Sequence, residues 1–213
     1  RTISQIYADS EEKKPVKSGA LQKIIAIGTS TGGPKSLQEV IPLIPGDVPA
    51  AFLITQHMPP GFTRSLAERL NSMSELTVKE AEDDELIMPG FAYIAPGDFH
   101  LTIEKAGEGK MKIKLSKSPP VSGHRPSVDV MMESIAKTSF SGVTGVIMTG
   151  MGRDGSEGIK MLKKANNGHI IAQDEKTCIV FGMPRVVIES GCADVVVPLK
   201  DIAGEIMKSV GVY

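Results

Sequence analysis

A mostly parallel, doubly wound α/β sheet is what this chain predicts, on three observations. Short apolar runs alternate with helical patterns from about Leu21 to the end, the order expected of strands joined by crossover helices. Runs such as Ala50-Ala51-Phe52-Leu53-Ile54-Thr55 are apolar throughout, as in strands covered on both faces. The first run, Lys23-Ile24-Ile25-Ala26-Ile27, enters Gly28-Thr29-Ser30-Thr31-Gly32-Gly33 directly, and a helical pattern follows. The expected fold is Rossmann-like, with one antiparallel β-hairpin excursion.

The elements follow in order. After the strand at 50–55, Phe62 to Met73 has helical spacing, with Phe62, Leu66 and Leu70 as its apolar face. Phe91 to Ala95 reads as a strand. Leu101-Thr102-Ile103-Glu104 and Met111-Lys112-Ile113-Lys114-Leu115 alternate around Gly107-Glu108-Gly109-Lys110, a hairpin signature. A helix is expected from Ser127, with Val128, Met131, Met132 and Ile135 as its stripe. Val143 to Met148 is a buried strand, and Ser156 to Ala165 a helix. Ile170-Ile171-Ala172 and Val195-Val196-Val197 are strands with a helix between them, and Ile202 to Val210 is a terminal amphipathic helix.

Composition narrows the class. Of 213 residues, 41% are hydrophobic and 23% charged, ordinary for a water-exposed globular domain with one substantial core. A net charge of -1 gives no reason to expect nucleic acid or a membrane surface as partner. No apolar run is long enough to span a bilayer. The start, Arg1-Thr2-Ile3-Ser4-Gln5, has neither methionine nor a signal segment. Residues 1–20 are expected to be an interdomain linker remnant and 21–213 the folded domain. Cys178 and Cys192 are expected as free thiols, and no His, Cys and carboxylate cluster has metal-ligand spacing.

In doubly wound sheets ligands bind outside the carboxyl ends of the strands. Three strand ends stand out. Gly28 to Gly32 fits G-x-S-x-G in its strand–turn–helix setting, which makes Ser30 a candidate nucleophile. The same turn also reads as an anion-binding loop, although Ser30 fills the place where a dinucleotide motif has its middle glycine. His57 follows the strand at 50–55, ahead of Pro59-Pro60-Gly61. It is a candidate base, since serine needs one at neutral pH. Asp154 lies in Thr149-Gly150-Met151-Gly152-Arg153-Asp154-Gly155, after the strand at 143–148. It suits the carboxylate that orients a histidine. Asp154 with Glu157 equally fits a D-x-x-E cap on the following helix. His124 and Arg125 sit in a loop that leads into a helix and are candidate substrate contacts. Arg64, Arg69 and Arg153 are weaker candidates. His100 and His169 read as structural. Two non-catalytic alternatives remain at this level: a phosphate-ligand module and a docking module.

Taken together, Ile27-Gly28-Thr29-Ser30-Thr31-Gly32-Gly33, Thr55-Gln56-His57-Met58-Pro59-Pro60-Gly61-Phe62, His124-Arg125-Pro126-Ser127-Val128-Asp129, Thr149 to Gly155 and Phe181-Gly182-Met183-Pro184-Arg185 resemble the catalytic domain of bacterial chemotaxis protein-glutamate methylesterases, the CheB family. The resemblance implies a cytoplasmic, cofactor-free serine hydrolase that acts on glutamate γ-methyl esters of methyl-accepting chemotaxis receptors. It also implies deamidation of receptor glutamines. Ser30 would be the nucleophile, His57 the base and then acid, and Asp154 its orienting partner. Backbone N–H groups of Thr31 and Met151 are oxyanion-hole candidates. The family's N-terminal receiver domain is an expected partner in the full-length protein. A monomer is the default expectation.

Overall fold

The computed structural model describes residues 19–107 and 109–211. The linker expected over 1–20 lies, except for Gly19 and Ala20, outside the described residues. Among the described residues, nine strands and six α-helices follow in the order β1 (Lys23–Thr29), α1 (Gly33–Val40), β2 (Ala50–Gln56), α2 (Phe62–Met73), β3 (Thr77–Glu80), β4 (Phe91–Ile94), β5 (His100–Lys105), β6 (Met111–Ser116), α3 (Val128–Lys137), β7 (Val143–Ile147), α4 (Ser156–Asn166), β8 (His169–Gln173), α5 (Met183–Glu189), β9 (Val195–Val197) and α6 (Leu199–Val210).

Seven strands form one sheet in the order β3-β4-β2-β1-β7-β8-β9, and every pairing in it is parallel. β5 and β6 form a separate antiparallel pair, the expected excursion. The order reverses at β1, with β2 on one side and β7 on the other. That reversal opens a crevice at the carboxyl edge. The three strand ends singled out in the sequence therefore belong to three adjacent central strands.

β1 shows why its run carries no alternation. Ile25 and Ile27 pack into one apolar layer with Phe52, Ile54, Leu37, Leu70 and Ile206. Ile24 and Ala26 pack into the other with Leu53, Ile103, Met132 and Ile159. Successive side chains point to opposite faces of a strand, so a sheet covered on both sides needs apolar residues at every position. The helices α1, α2 and α6 supply the first layer, and α3, α4 and the β5–β6 pair the second.

Two expectations need correction. The strand β3 has no counterpart in the sequence reading, because Val78 is its one buried residue and a short polar edge strand carries almost no apolar signal. Phe62 is 62% exposed rather than part of the buried face of α2, which is formed by Thr63, Leu66, Ala67 and Leu70. Phe62 is the first residue of that helix, where the chain is still leaving the sheet edge. Both cysteines are free. Among the described residues no helix is long and apolar enough to cross a membrane.

Candidate active site

The site stands on a floor of buried polar side chains. Thr29, Thr55, Gln56, Thr149 and Gln173, at the carboxyl ends of central strands, are all at most 2% exposed. Buried polar groups must be paired or they cost roughly 1–3 kcal/mol each. Here they pair with one another and with the loops above, except that the Thr55 hydroxyl meets Met131 of α3. The Gln56 amide donates to the carbonyls of Ser30 (3.0 Å) and His57 (3.1 Å), and its oxygen accepts from the Thr29 hydroxyl at 2.5 Å. The Thr149 hydroxyl donates to the Thr31 carbonyl at 2.9 Å and accepts from the N–H groups of Ile179 and Val180. Gln173 accepts from the Thr149 N–H at 2.8 Å. Gln56 is not among the candidates the sequence offers, although an amide closing an otherwise apolar strand has to be bonded to something.

Ser30 leaves β1 in a tight turn. Its N–H donates to the Thr149 carbonyl (3.0 Å) and its carbonyl accepts from the Gly33 N–H (2.8 Å). Gly32 takes φ of 84°, a left-handed conformation that strains residues with a Cβ. With the Ser30 and Gly33 N–H groups used internally, the loop is poorly equipped to cradle a phosphate. Gly33 is required for a different reason. A Cβ there would stand 1.9 Å from Gln56 Oε1 and 2.7 Å from Thr29 Cβ. Gly33→Ala is therefore expected to push Gln56 off both loop carbonyls. It should lower stability by roughly 1–3 kcal/mol, as overpacking does, read as a fall in the urea midpoint.

His57 follows β2, and its N–H donates to the Thr29 carbonyl at 3.3 Å. Its ring is about one-tenth exposed. Nδ1 lies 3.1 Å from Ser30 Oγ, and Nε2 lies 2.7 Å from Asp154 Oδ2. The three side chains thus form one hydrogen-bonded series. The ring is used the other way round from the serine-protease arrangement, where Nε2 faces the serine. Here the nitrogen nearest the backbone reaches the adjacent strand end, and the ring tip reaches the carboxylate.

Asp154 is 3% exposed. Besides His57, its oxygens accept from the Ser127 hydroxyl (2.8 Å) and from the N–H groups of Val128 (2.7 Å) and Asp129 (3.0 Å). The carboxylate therefore sits on the N-terminus of α3, where backbone donors and the helix dipole favour negative charge. Burial opposes the charged form, but hydrogen bonds from His57, the two backbone groups and Ser127 outweigh it, and the carboxyl is held below the usual range. The D-x-x-E capping expectation is corrected here. The N-cap of α4 is Gly155, with no side-chain cap. Asp154 caps a different helix and touches His57 at the same time, so the two roles do not compete.

The second helix is capped in return. Asp129, in the first turn of α3, accepts from the Gly158 N–H of α4 at 2.8 Å. Each helix thus lends a carboxylate to the other's N-terminus. Burial pushes the Asp129 carboxyl up to about 6; the N–H groups of α4 oppose this, and the charge on Asp154 adds to it. A folded value above the unfolded one of about 3.9 means a contribution that is complete below about pH 4 and lost as pH rises through 6. Asp154 has the opposite sign, its contribution being present above about pH 4 and lost below. Asp129→Asn keeps an acceptor for Gly158 but cannot ionise. Relative to wild type it is expected to gain on the order of 1–2 kcal/mol between pH 4 and 7, measurable by urea unfolding at both ends of that range.

The remaining candidates divide. His124 stacks on His57, with ring centroids 3.8 Å apart and planes 7° from parallel. Arg125 turns away from the site. Its Nε and one terminal nitrogen donate to Asp98, and the other donates to the carbonyls of Lys117 and Ser118. Arg64 pairs with Glu68 along α2, and Arg153, in the loop before α4, pairs with Glu157; both pairs are exposed, contacts worth little on their own. Met151 is 70% exposed and follows Gly150, on which a Cβ would fall 2.9 Å from Ser30 Cβ. Met151 and Thr31 therefore flank Ser30 from two loops. His100, by contrast, is buried and accepts from the Ser127 N–H (3.3 Å), while its other nitrogen meets the Pro119 carbonyl.

A doubly wound parallel sheet with hydroxyl, imidazole and buried carboxylate in series on adjacent strand ends defines an α/β protein with a serine–histidine–aspartate site. Residues 25–206 match the family described as CheB methylesterase, and the chain belongs to that family. It is 47% identical over 210 residues to protein-glutamate methylesterase/protein-glutamine glutaminase 1 of Syntrophomonas wolfei, covering 97% of this chain and 59% of that protein. With the protein-glutamate methylesterase/protein-glutamine glutaminase of Thermotoga maritima the figures are 51% over 197 residues, 92% and 56%. The chain thus spans less than two thirds of the length of these relatives. The crystal structure of the Thermotoga maritima CheB methylesterase catalytic domain superposes with a TM-score of 0.84 at 52% identity, covering 87% of this chain and 97% of that one.

Proposed function

We propose that this chain is the hydrolytic domain of a protein-glutamate methylesterase, with Ser30 as nucleophile, His57 as general base and Asp154 as the group that orients it. The observation that carries the reading is the unbroken series Ser30–His57–Asp154. An ionised Asp154 can only accept, so it draws the ring proton to Nε2 and leaves the lone pair of Nδ1 facing Ser30 Oγ. That tautomer is the one able to take the hydroxyl proton as Ser30 attacks an ester carbonyl. The resulting oxyanion is met by the N–H of Thr31 and that of Met151. Methanol departs with the proton from His57, and water then attacks the acyl-enzyme by the same route in reverse.

The names of the relatives extend the reading to protein glutamate esters and protein glutamines, and the chemotaxis family that the motifs resemble extends it to receptors. The esters are γ-methyl glutamates on the cytoplasmic helices of methyl-accepting chemotaxis receptors, and receptor glutamines undergo the same acyl transfer with ammonia as leaving group. His124 lies at the site, whereas Arg125 serves as an anchor for the His124 loop. The setting is the cytoplasm, and a receiver domain in the full-length protein is the proposed regulatory partner. The experiment is release of methanol from methylated receptor membranes, wild type against Ser30→Ala. Equal release by the two proteins would end the proposal.

A further inference from the structure

The His57 ring is held at its two nitrogens, and those contacts alone would leave its face open. We propose that His124 is a positioning residue, whose flat ring covers one face of His57 and holds that imidazole in the plane between Ser30 and Asp154. The inference rests on the reading of His57 as the base. Its geometry is a near-parallel stack at 3.8 Å, closer than ring pairs usually approach.

The loop that presents His124 is built to keep it there. Val121 and His124 exchange both backbone hydrogen bonds, at 3.0 and 2.9 Å. The two residues between them, Ser122 and Gly123, have φ of 51° and 81°, the left-handed pair that closes a tight two-residue turn. Arg125 then fastens the loop to Asp98 and to the carbonyls of Lys117 and Ser118. The Asp98 N–H donates back to the Arg125 carbonyl at 3.3 Å.

The surroundings of the ring disfavour a proton on it. Burial pushes the His124 imidazole down, the charge that His57 can acquire pushes it further, and Asp154 pulls weakly the other way. The adjacent Arg125 charge is matched by Asp98. A neutral aromatic face is what a developing imidazolium favours, by the same attraction that draws cations to ring faces. A proton on His124 would do the reverse. What His124 supplies is therefore its ring rather than a hydrogen bond, and phenylalanine should replace it.

Inactivation by diisopropyl fluorophosphate reads the reactivity of Ser30 without a receptor. Its second-order rate constant would be measured against pH for wild type, His124→Ala, His124→Asn and His124→Phe, beside methanol release from methylated receptor membranes. Removing the ring in His124→Ala or His124→Asn should slow both reactions about tenfold, the size of one lost ring–ring contact. His124→Phe should recover to within about threefold, with the acid limb of its pH profile unmoved. A Phe variant as slow as Ala, an Ala variant as fast as wild type, or a loss confined to receptor membranes would each overturn the inference. Undiminished reactivity of Ser30→Ala or His57→Gln would instead defeat the underlying reading of the site, and is recognisable separately.

Discussion

With alanine in place of Ser30, methanol release from methylated receptor membranes is expected to fall by roughly 10⁴–10⁶, the range for members of such triads. The fold should not change. The turn is held by backbone groups, namely Ser30 N–H on Thr149, Gly33 N–H on Ser30 and the Gln56 amide on the Ser30 carbonyl, and none of them uses the hydroxyl. Unfolding in urea should therefore match wild type within the roughly 0.5 kcal/mol typical of benign substitutions. Residual hydrolysis would come from the oxyanion donors and from substrate binding. Rate and stability falling together would point to a structural rather than a chemical role for the hydroxyl.

Asp154→Asn is expected to do both kinds of damage. Each carboxylate oxygen accepts from two donors: Oδ1 from Ser127 and Asp129, and Oδ2 from Val128 and His57. An amide has one oxygen. If its NH₂ takes the place of Oδ2, it meets the Val128 N–H and forces the His57 proton onto Nδ1, where the ring no longer has a lone pair for Ser30. If it takes the place of Oδ1, it meets the Asp129 N–H instead. The first outcome removes the base and should cost about 10⁴ in turnover, as in the protease with the corresponding change. Either outcome leaves a buried donor unpaired and should cost roughly 1–3 kcal/mol of stability. Turnover and the urea midpoint of one preparation report both. Full activity with unchanged stability would contradict the geometry on both counts.

The expected effects show which parts of the site could be read from the chain. β1, β2 and β7 were legible because strands covered on both faces must be apolar throughout; Ser30 and His57 were legible because each follows one of them directly, and Asp154 because it is the carboxylate in the loop after β7. The partner of Asp154 was not. Its local signature, an acid three residues before Glu157, points to α4, yet its oxygens meet α3. Which helix end lies nearest is decided by how the two helices pack, and nothing within four residues encodes that. Asp129 was hidden for the same reason, since an acid in a first turn normally serves its own helix. The His124 stack depends on a turn, an arginine and Asp98 meeting across the fold. β3 went unread because its single buried residue leaves no pattern.

The reversed use of the His57 ring has a mechanical consequence. A side chain swinging about its stem sweeps its tip through a longer arc than the atoms near the stem. In this ring the tip is moored in the buried carboxylate nest at the head of α3, and the nitrogen that faces Ser30 lies close to the pivot. A contact at the tip restrains the ring at the end that would travel furthest. On the proposed reading, that places the restraint where it best keeps Nδ1 in register with the Ser30 hydroxyl, for as long as the two helix heads stay tied together.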